Sequence, residues 1–588
     1  MIIKSYLKQI FHLLGEDKKK IPFLIFVFFV LSILDLVGIG LIGPYIALVA
    51  DVDITPGFLG KTAEIFDLPR DGDFLLQALS YVLLSVFIIK TIFVIWINKS
   101  IIQFSENQQA RLKSFLMQAY QFLPYTEYIR RNSSEYIYSI QQLTSQYSGQ
   151  VVLPLLRTVS DGMVALFILT LLALQNIFAL ILLVFLLGLM IFLNDVFFRD
   201  SLKTYGEKIN KASATTIQGV REGMDGLKEI RILGKEQYFY QIVHKNAKKQ
   251  AFFGTKALTL SMAPKYMLEL TMISFVVLFV LTTLLLGNNI DTLLPTLGMF
   301  GVASLRLLPA ANTLIQSLIQ IRYSRDSVSR LYNDQYKLKQ FSGKEDHPVS
   351  AQIPKQFQVL KLDRVSFTYP QSEFKALNEI SLEIKAGESI GLIGPSGSGK
   401  TTLVDMLLGL LEPQQGSIQY NEEEVKTVLQ QWRSQAAYIP QQVFLIDDTL
   451  RHNVAFGIDN DKIDNDILQE SLRQSKLIEV VEQLPQGVET VLGENGVRLS
   501  GGQRQRVALA RAFYHGRDVL VMDEATSALD DQTEQEIVKE IDQLKGKKTM
   551  IVIAHRLTTL KHCDRIYKLE DGRITAVGSY KELIEDAK

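Results

Sequence analysis

Six long apolar segments occupy the first part of the chain, and they restrict its fold more than any other feature. A helix that crosses a bilayer needs about 20 mostly apolar residues. Buried helices of a large soluble domain are the alternative, but several of the segments run at length with hardly a charge. The sequence therefore predicts six membrane spans, at residues 21–50, 74–97, 151–174, 177–197, 258–286 and 293–318.

The distribution of lysine and arginine predicts the orientation of these spans, because cytoplasmic connectors carry an excess of both. Cations precede the first span and follow the second, fourth and sixth, whereas the opposite connectors are short or, at 51–73, net acidic. Both termini are therefore expected in the cytoplasm. Residues 1–20 carry lysines and scattered apolar positions, and the apolar run that follows them is longer than the roughly 7–15 residues of a cleavable signal core. We therefore predict an interfacial helix before the first span.

Composition divides the chain into two parts. It is 47% hydrophobic and 21% charged with a formal net charge of +0, so bulk charge gives no reason to expect a nucleic-acid partner. Cys563 is the only cysteine, which excludes an internal disulfide and a cysteine-based metal site. We predict a transmembrane domain at 1–330 with long cytoplasmic helices broken near 123–125 and 219–226, a linker at 331–350, and a soluble domain at 351–588.

A glycine-rich loop in the second part has the pattern of a phosphate-binding loop. It follows an apolar strand and precedes an apolar helix, which is the context that this motif requires. Backbone N–H groups of such a loop surround phosphates, while Lys400 neutralises their charge and Thr401 offers a hydroxyl to Mg²⁺. The predicted ATP-binding residues here are Gly394, Pro395, Ser396, Gly397, Ser398, Gly399, Lys400, Thr401 and Thr402.

Two further motifs lie downstream. The apolar strand at 519–522 ends in Asp523, which can hold Mg²⁺, and Glu524, which can polarise an attacking water. Between the loop and this strand lies a second candidate anion site, where serine and glycine amides precede a helix. Its residues are Ser500, Gly501, Gly502 and Gln503. One chain thus carries two phosphate-binding surfaces, as a head-to-tail dimer with ATP between the copies requires.

The order of these motifs across roughly 356–583 resembles that of ABC transporter ATPases. The resemblance implies that Tyr369 stacks on adenine, that Gln441 reaches Mg²⁺ and that His555 contacts the γ-phosphate. It also implies that residues 527–530 couple two ATP sites and that 490–496 form the short loop that touches the membrane domain in exporters.

Six spans before one ATPase resemble an exporter-type half-transporter. The resemblance implies a membrane α-helical six-span exporter domain joined to an α/β P-loop ATPase domain, with ATP and Mg²⁺ as cofactors. It further implies a homodimer in the inner membrane of a bacterium, with the ATPase in the cytoplasm, that hydrolyses ATP to drive transport.

Three cations within the spans point to an anionic cargo, because ionisable residues inside a membrane are costly and usually face a cavity. They are Lys90, Lys265 and Arg306. Internal pairing is the alternative; Asp35, Asp161 and Asp195 are candidate counter-ions, and Lys265 has Glu269 four residues on. The segments 56–68 and 303–312 resemble the family of bacterial flippases of lipid-linked oligosaccharides used in N-linked protein glycosylation, which implies a pyrophosphate-bearing lipid cargo.

Other functions remain open at this point. Within transport, a multidrug, lipid A or peptide exporter is the alternative to an oligosaccharide flippase. An ATP-gated channel or regulator is a third candidate, although Glu524 and His555 favour a working hydrolase. The spans exclude a soluble ABC ATPase.

Overall fold

A computed structural model describes residues 2–49, 72–175, 177–285, 293–342, 356–370, 372–523, 539, 542–553 and 560–585. A few side chains inside the helices, those of Asp195 and Arg306 among them, are outside the described set. The chain divides into two compact units. The first contains Met1–Leu123 and Arg131–Glu345, and the second contains Pro124–Arg130 and Asp346–Lys588.

The first unit is helical. Its segments before Gln121 are α1 (Ile2–Leu14), a 3-10 turn (Gly15–Lys20), α2 (Ile21–Val49) and α3 (Gly72–Gln121), while α4 (Tyr125–Tyr128) belongs to the second unit. The first unit continues with α5 (Ser133–Tyr138), α6 (Thr144–Tyr147), α7 (Leu153–Gln175), α8 (Ile177–Asp225), α9 (Leu227–Leu233), α10 (Glu236–Leu285), α11 (Leu293–Tyr323) and α12 (Arg325–Ser342). Two π-helical turns, Ser139–Leu143 and Ser148–Val152, join α5, α6 and α7.

The described residues of each predicted span lie in these helices, except that 151–152 lie in the π-helical turn before α7. Among the described residues, four helical stretches are long and apolar enough to cross a membrane: Tyr6–Gly38, Leu76–Gln121, Ser133–Ala173 and Glu236–Thr282. The fourth predicted span corresponds to a shorter apolar stretch, Ile177–Leu193. The sixth, 293–318, lies in α11, where several side chains are outside the described set. The predicted cytoplasmic extensions of α3, α8 and α10 are continuous with their spans.

The predicted turn in the second extension is one residue wide and lies at Gly226, not over the whole of 219–226. Helix α8 passes through Gly219 and ends at Asp225. A Cβ at position 219 would come within 2.9 Å of the Ile242 side chain on α10. Glycine is therefore needed here for close packing of α8 on α10, and a single helical glycine costs only about 1 kcal/mol.

Long helices pack in pairs in this unit: α10 lies along α8, α11 along α7, and α2 along α3. Helix α1 packs on α12 through Ile10, Leu13 and Leu14, all at most 5% exposed. Many side chains that face away from these contacts are apolar and exposed, such as Phe178 at 81%. Such a surface is expected where lipid replaces water as the solvent.

The described residues of the second unit form ten strands in two sheets. The strands are β1 (Val359–Phe367), β2 (Leu377–Lys385), β3 (Ser389–Ile393), β4 (Gln415–Tyr420), β5 (Glu423–Glu424), β6 (Ala436–Ile439), β7 (Val519–Asp523), β8 (Thr549–Ile553), β9 (Arg565–Glu570) and β10 (Arg573–Gly578). An antiparallel sheet has the order β2-β1-β4-β5, and a six-stranded sheet has the order β10-β9-β3-β8-β7-β6. In the latter, β9, β3, β8, β7 and β6 are parallel.

The helices of this unit pack on the larger sheet and beside it. They are α13 (Lys400–Leu407), α14 (Leu429–Gln435), α15 (Leu450–Val454), α16 (Asn465–Gln474), α17 (Ile478–Gln483) and α18 (Gly501–Tyr514). The central strands β3, β7 and β8 are almost fully buried, which explains their uninterrupted apolar sequences. In open sheets of this type, ligands bind beyond the carboxyl ends of the parallel strands.

Candidate functional site

The predicted phosphate-binding loop connects β3 to α13. Gly394 has a φ of +153° and lies against the backbone carbonyl of Leu569, while Gly399 has a φ of +100° and a Cβ there would be 2.6 Å from the carbonyl oxygen of Ala376. A side chain at either position would clash with backbone that cannot move aside. These glycines therefore let the loop curl tightly around the amino end of α13.

Two side chains of the loop point polar atoms into this curl. Lys400 is 8% exposed, and its Nζ donates to the carbonyl oxygens of Gly394 and Pro395, each at 2.9 Å. The buried Oγ of Ser398 has no hydrogen-bond partner among the described residues. A buried ammonium, an unused hydroxyl and the free amides of a helix N-terminus match the oxygen atoms of a nucleotide's phosphates. The residues present thus fit ATP.

Three predicted Mg²⁺ ligands lie at or beyond the carboxyl ends of strands in the same parallel sheet. Thr401 follows β3 and its loop, Gln441 follows β6, and Asp523 is the last residue of β7. Strands β6 and β7 are paired directly, with Ile439 opposite Met522. A hydroxyl, an amide oxygen and a carboxylate are oxygen donors of the kind that Mg²⁺ prefers, so the donor set fits this ion.

A second carboxylate, that of Asp405, and the neutral phenol of Tyr438 lie near Asp523. The Tyr438 hydroxyl donates to Oδ2 of Asp523 at 3.3 Å. Burial and the neighbouring Asp523 charge raise the pKa of Asp405 to about 6, and burial with the same carboxylates raises the pKa of Tyr438. Carboxylates that disfavour one another's ionisation are stabilised when a cation binds between them.

Tyr369, the predicted adenine-stacking residue, lies at the edge of the loop. Its ring packs edge-to-face on Phe367 with centroids 5.0 Å apart, and its hydroxyl is 3.3 Å from Oγ1 of Thr402. Tyr125 on α4 is close enough for the charges of Asp405 and Tyr369 to raise its pKa, after the larger effect of burial. The α4 segment is thus beside the phosphate-loop helix within the second unit.

The second candidate anion site is the start of α18. Ser500 caps this helix: its Oγ accepts from the Gln503 amide at 3.2 Å, and the Gln503 side chain accepts from the Ser500 amide at 2.8 Å. This reciprocal capping box holds the residues Gly501 and Gly502 in the first turn. The Ser500 side chain is exposed, so the amino end of α18 is accessible to a ligand.

Glu524 and His555, the predicted catalytic residues, lie outside the described residues, as do residues 527–530. The strands that lead to Glu524 and His555 are β7 and β8, which pair in parallel with Asp523 opposite Ile553. Both residues therefore follow the carboxyl ends of adjacent strands. Their assignment remains a prediction from the motif.

Lys90 and Lys265, two of the three predicted membrane cations, have different surroundings. Lys90 is 3% exposed and forms an ion pair with Asp35. For this residue, internal pairing is therefore the correct alternative to a position facing a cavity. Lys265 is exposed, with its Nζ 5.8 Å from the Tyr266 ring centroid. Within the described part of the chain Lys265 forms no ion pair, and in particular none with Glu269. The Arg306 side chain is outside the described set.

Comparison with known proteins identifies the family. A model of the ABC transporter family matches residues 377–527. An ATP-dependent lipid A-core flippase of Saccharophagus degradans is 30% identical over 471 residues, which make up 79% of this chain and 77% of that relative. The chain belongs to the ABC transporter family.

Other known proteins resemble this ABC transporter over different shares of its length. ATP-dependent lipid A-core flippases of Alkalilimnicola ehrlichii and Ralstonia nicotianae are 43% and 44% identical over 228 residues, and the chain spans 38% of the length of each. A solved structure of a bacterial Atm1-family ABC exporter with ATP bound has a TM-score of 0.71, covering 97% of this chain and 96% of that one at 20% identity. The predicted fold class, a helical membrane domain with an α/β ATPase domain, is confirmed.

The structure adds two residues to the site that the sequence analysis of the transporter missed, Asp405 and Tyr438. Asp405 follows Thr401 by four residues and therefore lies on the same face of α13, which is a signal present in the sequence. Tyr438 lies on β6, three residues before Gln441. Its hydrogen bond to Asp523 forms only because β6 pairs with β7, and no short-range sequence motif indicates that pairing.

Proposed function

We propose that two copies of this chain form an ATP-driven exporter that flips an anionic lipid across the cytoplasmic membrane. The observation that carries the proposal is one sheet edge on which the phosphate loop, Asp523, Gln441 and the Tyr438 hydroxyl all lie, in a chain whose other unit has membrane-length apolar helices. Both termini and the ATPase domain are in the cytoplasm, in accordance with the lysine and arginine distribution.

Each residue of the ATP site has a separate task in this proposal. The loop amides and Lys400 bind the β- and γ-phosphates, and Tyr369 stacks on the base. Thr401, Gln441 and Asp523 would hold Mg²⁺, which neutralises phosphate charge when bound. Glu524 orients and polarises the attacking water, and His555 contacts the γ-phosphate.

The proposal includes a homodimer because one chain supplies both halves of a composite site. The phosphate loop and the Ser500 to Gln503 turn are both intact. Two-fold symmetry then produces two equivalent sites, each with the loop of one copy and the α18 terminus of the other.

The anionic cargo is proposed from Lys265 and Arg306. Lys265 lies in α10, is exposed, and makes no ion pair among the described residues, whereas Lys90 already has Asp35 as its counter-ion. We therefore restrict the proposed head-group contacts to Lys265 and Arg306. The names of the relatives favour the lipid A alternative over the lipid-linked oligosaccharide of the sequence analysis, so we propose a lipid A-core type of cargo.

A transport assay with two cargoes tests this. Purified transporter in proteoliposomes should move a labelled lipid A-core in an ATP-dependent manner, and faster than a polyprenyl-pyrophosphate oligosaccharide. Lys265→Gln with Arg306→Gln should slow lipid A movement while basal ATPase activity persists. Lys256→Gln, which removes an exposed cation from the same helix, is the matched control. Preferential movement of the oligosaccharide would refute the cargo proposal.

A further inference from the structure

The amino-terminal helix α1 has three sectors with different surroundings. Ile10, Leu13 and Leu14 are buried against α12 and its neighbours. Leu7 and Phe11, four residues apart, are 39% and 52% exposed. Next to that apolar ridge lies a second ridge formed by Lys8 and His12, which are also four residues apart and so on one face of the helix.

His12 connects this ridge to α12. Its ring meets Tyr332 edge-to-face with centroids 5.2 Å apart, and Tyr332 stacks on Tyr336 at 6.2 Å. Lys339 follows Tyr332 by seven residues and therefore lies on the same face of α12. Burial lowers the pKa of His12 most, and the charges of Lys339, Lys18 and Lys8 lower it further, so lysines from three separate elements lie near the imidazole.

No carboxylate neutralises these three lysines within the described residues. The neighbouring Lys19 and Lys20 differ, because Glu16 and Asp17 pair with them at 2.7 and 2.8 Å. The Nε2 atom of His12 is buried and has no hydrogen-bond partner among the described residues. Like charges held together repel one another, and an anion among them would offset that cost and satisfy the imidazole.

The position of α1 identifies the anion. A helix with an exposed apolar ridge beside a cationic one lies in the membrane interface, with the apolar side chains in the acyl region and the cations at head-group depth. We propose that Lys8, Lys18 and Lys339, with His12 between them, bind the phosphate of an anionic lipid of the cytoplasmic leaflet. This site is on the outside of α1 and α12 and does not depend on the identity of the cargo.

Lipid binding to the purified full-length transporter tests the proposal. Native mass spectrometry would compare phosphatidylglycerol with phosphatidylcholine of the same acyl chains. A lysine near a membrane surface adds about fivefold to the affinity for an anionic lipid. The variant with Lys8→Gln, Lys18→Gln and Lys339→Gln should therefore lose roughly a hundredfold in its affinity for phosphatidylglycerol, with unchanged affinity for phosphatidylcholine.

The matched control replaces three exposed lysines of α10 in the same way, Lys245→Gln, Lys248→Gln and Lys249→Gln. It should retain the preference for phosphatidylglycerol, which separates a local site from loss of net charge. ATPase activity like that of the wild type would show that both variants are folded. If the triple variant does not fold, the single variant Lys339→Gln can be measured instead, and its affinity for phosphatidylglycerol should fall about fivefold. An undiminished preference in the triple variant would overturn the proposal. So would full competition by millimolar inorganic phosphate, which would indicate a site for soluble anions.

Discussion

Lys90 on α3 and Asp35 on α2 form an ion pair in which both side chains are 4% exposed. The Lys90 ammonium also lies 5.0 Å from the ring centroid of Phe87. Because a lone charge inside a membrane is costly, each of these residues accounts for the presence of the other. The pair joins two helices that the sequence presents as separate spans.

Removing one partner of this pair should destabilise the transporter. Lys90→Met leaves the Asp35 carboxylate buried without its cation, and such a change typically costs about 3–5 kcal/mol. Asp35→Asn combined with Lys90→Met removes both charges and should recover most of the loss. Thermal unfolding in detergent measures this, with Lys265→Met as the control for loss of an exposed membrane cation. Equal melting temperatures for the Lys90→Met variant and wild type would show that the pair has no role in stability.

Tyr438→Phe should weaken the Mg²⁺ site without disrupting the fold. The substitution removes the hydroxyl that donates to Asp523 and leaves the carboxylate less well oriented. We expect the Mg²⁺ concentration for half-maximal ATPase activity to rise about tenfold, which corresponds to the loss of one hydrogen bond to a charged group. Tyr567→Phe is the matched control, because its hydroxyl contacts the Glu383 carbonyl away from the site. An identical Mg²⁺ dependence for both variants would contradict the role of Tyr438.

Asp405 should make stability depend on pH. Its pKa is raised to about 6 in the folded protein by burial and the Asp523 charge, and is lower in the unfolded chain. A carboxyl group shifted upward costs stability when it ionises, so the cost is absent below about pH 4, grows between pH 4 and 6, and is constant above. Without nucleotide and Mg²⁺, Asp405→Asn should therefore be more stable to unfolding than wild type at pH 7.5, by about 1–2 kcal/mol once solvent screening of this partly exposed group is allowed for. The difference should vanish near pH 4; a difference independent of pH would exclude the ionisation of Asp405 as its cause.

Co-expression of two inactive variants tests the composite site. Lys400→Ala disables the phosphate loop and Ser500→Glu places a charge where the second anion site should be. In a mixed dimer, one site combines both defects and the other has neither. A random mixture should then recover roughly a quarter of the wild-type number of intact sites. Lack of any recovery, with mixed dimers shown to form, would contradict a site shared between copies.

The parts of the ATP site that the sequence predicts are those defined by local spacing. The residues Gly394 to Thr402 lie in one loop and one helix turn, so their pattern alone fixes the phosphate-binding geometry. The sequence offers three candidate counter-ions for Lys90 and does not decide between them. Asp35 is the partner because α2 packs on α3, which only the structure shows. Gly219 is a position where the sequence prediction of a turn is wrong. Glycine is found both in turns and where two helices pack closely, and the sequence alone does not distinguish the two.

ATP-dependent lipid translocation by proteoliposomes containing the purified wild-type chain tests most directly whether ATP hydrolysis at this site moves a lipid. Glu524→Gln should keep ATP binding but lose the carboxylate that polarises water, so that hydrolysis falls by about a hundredfold or more. We expect the wild type to move labelled lipid A-core only when ATP and Mg²⁺ are present, and the Glu524→Gln variant to lose hydrolysis and movement together. Movement that continues at the wild-type rate in the variant, or in the wild type without ATP, would contradict an ATP-driven flippase.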